Sequence, residues 1–208
     1  MKREEKNALS RQRILEAAIT EFSEKGYVGA SLNTVCSEKG FSKGIIYHYF
    51  KDKDELYLIC VKHCFDKMTQ FIKSQQQNFC GTLEEKLQTY FDTRLTFFTE
   101  NPELLGIFTD SAFTPPTNLL REIAACRREF DESNISILTR FLSNEPLRDG
   151  LSAAVIAEDL KNYIDFFNLR LACSFEETIP SESALRSHEG RCHRQLNMLL
   201  YGVIGEHR

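Results

Sequence analysis

Apolar residues recur at helical spacing along almost the whole chain. Ile14, Leu15, Ala18 and Phe22 form a stripe that predicts a first helix over residues 10–25, ended by Gly26. Leu32, Val35 and Cys36 predict a short second helix over 31–39, with Ser31 as its N-cap. Gly40 supplies the left-handed residue that ends it, and Phe41 turns into the core. Ser42 then caps a third helix over 43–50. Asp52 to Glu55 reads as a capping box opening a long fourth helix to about residue 77, with Leu56, Cys60, Cys64, Met68 and Ile72 on one side. Further helical pieces are predicted over 82–100, 103–113, 117–143, 151–174 and 182–204, punctuated by Asn101-Pro102, Pro115-Pro116, Pro146 and Pro180.

No convincing alternating strand pattern interrupts this, so the expected fold class is all-α. Residues 1–53 form a three-helix unit with a helix-turn-helix, and residues 54–208 a helical body. The first eight residues are expected to be a mobile arm. The last two helices stand out. Ile156, Leu160, Tyr163, Ile164, Phe167 and Leu171 line one, with Phe166 and Cys173 apolar off that stripe. Leu196, Leu199, Leu200, Val203 and Ile204 line the other. A helix apolar on two sides is buried on two sides, either inside the body or in a four-helix interface between two copies. Periodicity leaves both open.

Composition narrows the class. Hydrophobic residues make up 42% of the 208, with 16 Phe, enough for a sizeable core. No run of 18 apolar residues exists, so no membrane span is expected. The N-terminus MKREEKNALSRQRI has no apolar stretch and does not read as a secretory signal. Seven Cys without regular spacing fit reduced thiols in a cytoplasm. The net charge is −4, but residues 1–53 carry ten Lys and Arg against seven Asp and Glu, so the acidic excess lies in the body.

The third helix carries the most informative chemistry. At about 100° per residue, Ile45, Ile46, Tyr49 and Phe50 fall on one side. Gly44, Tyr47, His48 and Lys51 fall on the other. A gap, two flat polar rings and a cation suit close approach to phosphates and base edges better than mere solvation. The helix start adds unpaired N–H groups and a partial positive charge.

The remaining constellations are weaker. Phe91, Phe97, Phe98, Phe108, Phe113, Phe130, Phe141, Phe166 and Phe167 would line an apolar pocket, although aromatic residues at helical spacing are more often plain core. Asp92, Asp110 and Asp165, if they faced such a pocket, would suit a cationic ligand. Cys60, His63 and Cys64, and likewise His188, Cys192 and His193, share a helix face at metal-like spacing, but each set offers at most three ligands. A metal- or thiol-responsive role is therefore the alternative rather than the main reading, and no metal or cofactor is expected. No phosphate-cradling Gly loop, HExxH or nucleophile elbow appears, so an enzyme is not expected.

Residues 13–56, RILEAAITEFSEKGYVGASLNTVCSEKGFSKGIIYHYFKDKDEL, resemble the TetR-like bacterial transcriptional repressors. The similarity rests on Ile14, Leu15, Ala17, Ala18, Phe22, Gly26 and Tyr27. It continues through Ser31, Val35, Gly40, Ser42, Gly44, Tyr47, Tyr49, Phe50, Lys53 and Leu56. Cys36 and Phe41 depart from the usual Ala and Val but stay apolar. The resemblance implies an all-helical homodimer, paired through about 151–174 and 182–204, that binds double-stranded operator DNA and is released by a small-molecule effector. It implies Ser42, Lys43, Gly44, Tyr47 and His48 as the groove-facing set, Ser31 and Lys53 as phosphate anchors, and Asn33 and Tyr49 as further contacts. Lys51, Lys2, Arg3 and Lys6 are weaker candidates. For the effector, Phe91, Phe98, Phe108, Phe113, Phe130 and Phe167 are the expected pocket residues.

Overall fold

The computed structural model describes residues 3–38, 40, 43–172 and 182–203. Side chains at 3, 4, 6, 38, 43, 164, 165, 167–172, 182, 184, 185, 188, 189, 192, 196 and 201–203 lie outside that description, as do Ser42 and Phe41 entirely. Among the described residues every regular element is helical. The order is α1 (Arg3–Gly29), α2 (Leu32–Glu38), α3 (Lys43–Tyr49), α4 (Lys53–Ser74), α5 (Leu83–Glu100), α6 (Leu105–Phe113), α7 (Leu120–Leu142), α8 (Ala153–Ala172) and α9 (Glu182–Val203). Short 3-10 turns follow α4 and precede α6 and α7.

Local sequence explains most boundaries. Gly26 sits at φ 64 within α1, so regular helix stops there and one more turn runs on to Gly29. Ser31 Oγ accepts the Asn33 N–H at 3.2 Å and caps α2. Asp52 caps α4 by accepting the Glu55 N–H at 2.9 Å. Glu55 returns its carboxylate to the Lys51 N–H rather than to Asp52, so the box closes one residue early. Thr82 and Glu85 make a complete capping box for α5.

Two expectations change. Residues 3–9 do not form a separate arm; they extend α1, whose Arg, Glu and Lys are good helix formers. α4 ends at Ser74 rather than near 77, because the chain tightens into a 3-10 turn over Gln76–Asn78.

One contiguous core runs from Ile14 to Leu200. α4 supplies its axis, with Leu56, Cys60, Cys64, Met68 and Ile72 all buried. α4 packs against α7, α7 against α8, and α5 against α9. The N-terminal unit is seated on the body through α1 against α6 and α4. At that seam a Cβ on Gly106 would lie 2.0 Å from the Ser23 carbonyl oxygen, so only glycine permits the approach. No helix among the described residues is long and apolar enough to cross a membrane.

Candidate nucleic-acid interface and its link to the body

α3 is held to the fold by few anchors. Ile46 and Phe50 are buried, and the Arg11 guanidinium lies over the Phe50 ring at 5.3 Å. Gly44, Tyr47 and His48 face solvent, with Tyr47 57% exposed. Ile45, expected on the inner side, is 38% exposed. In so short a helix Ile46 and Phe50 set the buried side, and Ile45 falls at its edge beside Gly44. The outward surface therefore joins two polar rings, a gap and an apolar side chain. That mixture offers hydrogen bonds to base edges and an apolar contact for a thymine methyl.

Tyr49 is half-buried and donates its hydroxyl hydrogen bond to Asn7 Oδ1 at 3.2 Å, tying α3 to the first turns of α1. The His48 ring packs edge-on against Tyr49 at 4.9 Å. Asn33 is exposed on α2. Ser31 is half-buried, and its N–H donates to Glu21 Oε1 at 2.9 Å. Lys53 lies over the Tyr27 ring at 4.7 Å and donates to the Val28 carbonyl at 3.5 Å. Partial burial there pushes its pKa down against the opposing pull of Asp54, Asp110 and Glu21. Lys51 is exposed beside Asp52. Lys43 lies in the first turn of α3 with its side chain outside the described residues, and Ser42 and Lys2 are outside them altogether.

Behind this surface lies a polar joint between the N-terminal unit and the body. Asp110, on α6, accepts the Tyr27 N–H at 3.0 Å and the Tyr57 hydroxyl at 2.5 Å, both on Oδ2. Tyr27 in turn donates to Asp54 Oδ1 at 2.5 Å. Burial pushes the Asp110 carboxyl up, and the two donated hydrogen bonds with the Lys53 charge pull it back. One carboxylate thus fixes α6 to the turn after Gly26 and to α4. Asp110 is therefore not directed at a ligand pocket, as the sequence had allowed.

Among the described residues, the Phe side chains of the body pack ring against ring. Phe98, Phe108 and Phe113 form a chain of ring contacts at 4.9 and 5.8 Å, and Phe91 packs against Tyr90 at 5.4 Å. Of the expected pocket residues, Phe108 and Phe130 line a narrow cleft among α5, α6, α7 and α8. Its other walls include Arg94, Arg127, Asp131 and Lys161. Its volume of about 20 Å³ holds roughly one water molecule. Phe167 lies in α8 with its side chain outside the described residues. Asp92 belongs to a surface groove with Thr93, Thr96 and Glu100 instead. Sequence reasoning passed over Arg94, although it falls on the buried stripe Leu87, Tyr90, Phe91 and Phe98, where a cation is unusual.

Among the described residues no group of three His, Cys, Asp or Glu side chains is arranged to hold a metal. Burial pushes the Cys60 and Cys64 thiols up, which keeps them protonated, and lowers the pKa of the half-buried His63. His193 packs against the Phe91 ring at 5.9 Å, while the side chains of His188 and Cys192 are outside the described residues.

Residues 14–59 match the family model described as bacterial regulatory proteins, tetR family. A curated relative from Staphylococcus aureus (strain Newman) is the "Biofilm operon icaADBC HTH-type negative transcriptional regulator IcaR". It is 32% identical over 82 residues, covering 39% of this chain and 44% of the relative. The chain thus spans less than half the length of the curated relative it matches. Solved structures cover nearly everything at low identity. A tetR-family regulator from Mesorhizobium loti aligns over 96% of this chain and 98% of its own, with TM-score 0.65 and 18% identity. The transcriptional regulator FadR from Bacillus subtilis, in complex with stearoyl-CoA, aligns over 89% and 97%, with TM-score 0.60 and 18% identity. These two likenesses establish a shared fold.

Proposed function

Through residues 14–59 the chain belongs to the bacterial regulatory proteins of the tetR family, and from that premise we propose that it is a homodimeric DNA-binding repressor, released from its operator by a small-molecule effector. The observation that carries the reading is the outward face of α3, where Gly44, Ile45, Tyr47 and His48 stand exposed on a helix anchored by Ile46 and Phe50. α3 enters the major groove. Tyr47, His48, Lys43 and Ser42 reach base edges and nearby phosphates, and Ile45 meets apolar groove surface. Ser31, Asn33 and Tyr49 contact the backbone at the rim. Lys53 leaves the Tyr27 ring for a phosphate when DNA arrives. The relative from Staphylococcus aureus is a negative regulator, which favours repression.

Two such units must lie about 34–36 Å apart, or at a multiple of that spacing, to enter major grooves on one face of DNA. α8 and α9 bring two copies together. Val155, Phe166, Met198 and Leu199 are exposed there, at 55%, 56%, 74% and 41%, and Val155 and Phe166 share one face of α8. A second copy covering them is the reading that apolar exposure on two adjacent helices supports. With operator DNA as its partner, the protein works in the cytoplasm.

The effector enters between α6 and α7. α6 carries Phe108 and Ala112 at the cleft and Asp110 at the joint, so a molecule that wedges the cleft open shifts α6. The shift draws the Tyr27 backbone and α1 with it and changes the separation of the two α3 helices. The effector works only to the extent that it binds the opened state better, and by linkage DNA weakens effector binding equally. Fluorescence anisotropy with labelled DNA from the upstream region tests the reading. Tight binding whose log affinity falls steeply with log salt is expected. Absence of any salt-dependent binding across the neighbouring promoters overturns it.

A further inference from the structure

We propose that Glu21 is a positioning residue for DNA binding: its buried carboxylate holds Ser31, and with it α2, in place for the DNA backbone. This rests on the DNA-binding reading above and adds a residue that does not itself touch DNA. Glu21 stands in the middle of the α1 stripe formed by Ile14, Ala17, Ala18 and Phe22, and its side chain is 1% exposed. A carboxylate is rarely enclosed on such a face unless its oxygens have partners. Here both have one. Oε1 accepts the Ser31 N–H at 2.9 Å, and Oε2 accepts from Lys25 Nζ at 2.7 Å.

The bond to Ser31 does what the ion pair alone does not. It reaches ten residues along the chain, across the break in α1 at Gly26, and ties the start of α2 back to α1. Ser31 in turn carries the first turn of α2. Its Oγ accepts the Asn33 N–H at 3.2 Å, and its carbonyl accepts the Thr34 and Val35 N–H groups at 3.0 and 3.2 Å. α2 packs against both α1 and α3. The height at which Ser31 is held on α1 therefore sets where Ser31 and the exposed Asn33 stand relative to the outward face of α3. The segment that this bond closes also seats Lys53, through the Tyr27 ring at 4.7 Å and the Val28 carbonyl at 3.5 Å.

Folding alone does not call for a carboxylate here, because an apolar side chain of similar size commonly serves as well as a buried ion pair. An apolar side chain, however, offers no acceptor to the Ser31 N–H, and the segment loses the bond that fixes its far end. On the DNA-binding reading a bare carboxylate so near the backbone would repel phosphate. Enclosure and the Lys25 charge offset that repulsion.

The test uses the full chain and labelled DNA from the upstream region, with anisotropy for affinity and phosphate-ethylation interference for individual backbone contacts. Ser31→Ala identifies the phosphates that Ser31 meets, as those whose ethylation no longer weakens binding. Glu21→Leu should lower affinity by about ten-fold, the size of one lost hydrogen bond. It should also lose interference at those same phosphates, while the phosphates flanking α3 keep theirs. Glu21→Gln retains an acceptor for the Ser31 N–H. It should keep the native pattern and bind within about three-fold of native, since a partly exposed pair such as that with Lys25 is worth little. Glu21→Met is the second variant should Glu21→Leu fold poorly. A uniform loss of affinity with an unchanged interference pattern marks a merely structural role and overturns the proposal. Native affinity in Glu21→Leu, or a Ser31→Ala pattern identical to native, overturns it too. Absence of salt-dependent binding by the native protein removes the DNA-binding reading itself; native binding with any of the overturning results removes this inference alone.

Discussion

In α3 the side chains that matter point out of the fold; in the cleft among α5, α6, α7 and α8 they point into it. Tyr47 and His48 meet solvent, while Arg94 is almost wholly enclosed. An outward surface is energetically separate from the core beneath it, so its chemistry can change at little cost to stability. An enclosed side chain is tied to every helix around it, so a change there disturbs all of them. On the proposed function, the N-terminal unit reads a rigid partner and the body converts occupancy into motion. The two meet at a seam where Gly106 lies on Ser23 and Asp110 on Tyr27, and on the proposed function any such motion passes through it.

The sharpest break of this contrast is expected at α3. Replacing Tyr47 and His48 together with Ala should lower operator affinity by roughly 100-fold or more, at about 1–3 kcal/mol for each lost base contact. The unfolding midpoint should move by about 2 °C or less, since neither ring supports the core. Anisotropy and a thermal melt on one preparation check both halves; a large loss of stability would show that the α3 surface is not separable.

Gly106→Val attacks the seam. Its Cβ would meet the Ser23 backbone at 2.0 Å, and backbone gives way poorly. Destabilisation of about 1–3 kcal/mol is expected from overpacking, read as a lower urea midpoint. Because α1 must back away from α6, operator affinity should fall too, although no DNA-facing residue has changed.

Asp110→Ala should cost about 1–3 kcal/mol by leaving the Tyr57 hydroxyl and Tyr27 N–H without their acceptor, and Asp110→Asn should cost less. The pH dependence has a definite sign. Burial raises the Asp110 pKa above its unfolded value, so the folded state holds the proton more tightly. That contribution is complete below the unfolded carboxylate pKa and is lost as pH rises through the raised folded one. Asp110→Asn removes it, so the gap in urea midpoint between native protein and variant should shrink or reverse on going upward through that window. A constant gap would contradict the shift.

The smallest effect is expected from thiol alkylation. Iodoacetamide should modify exposed Cys80 in the native protein and spare Cys60 and Cys64, with little change in DNA affinity. Peptide mass mapping checks this, and rapid native labelling of Cys60 or Cys64 would revive a thiol-responsive role.

Much of this was legible from local pattern. The stripe Leu56, Cys60, Cys64, Met68 and Ile72 specified the buried side of α4, and Ser31, Asp52 and Gly40 marked where helices begin and end. Helix periodicity and capping act over a few residues, so the sequence shows them directly. The outward positions of Gly44, Tyr47 and His48 followed for the same reason. Ile45 did not, because a residue at the edge of a seven-residue helix is assigned by its neighbours rather than by phase. Arg94 could have been found from its place on the buried stripe of α5, but the partners of Asp110 were beyond reach of the pattern. A carboxylate on α6 looks the same in sequence whether it meets solvent, a ligand or the Tyr27 N–H 83 residues away.

By itself, then, the sequence determined an all-helical chain, most of its boundaries and the outward polar face of α3, because each depends on interactions within a turn or two of helix. Only the tertiary structure decided that the described Phe side chains of the body pack ring against ring and that Asp110 joins its two parts. Those facts depend on which helices pack together, and packing brings together residues that no local pattern relates.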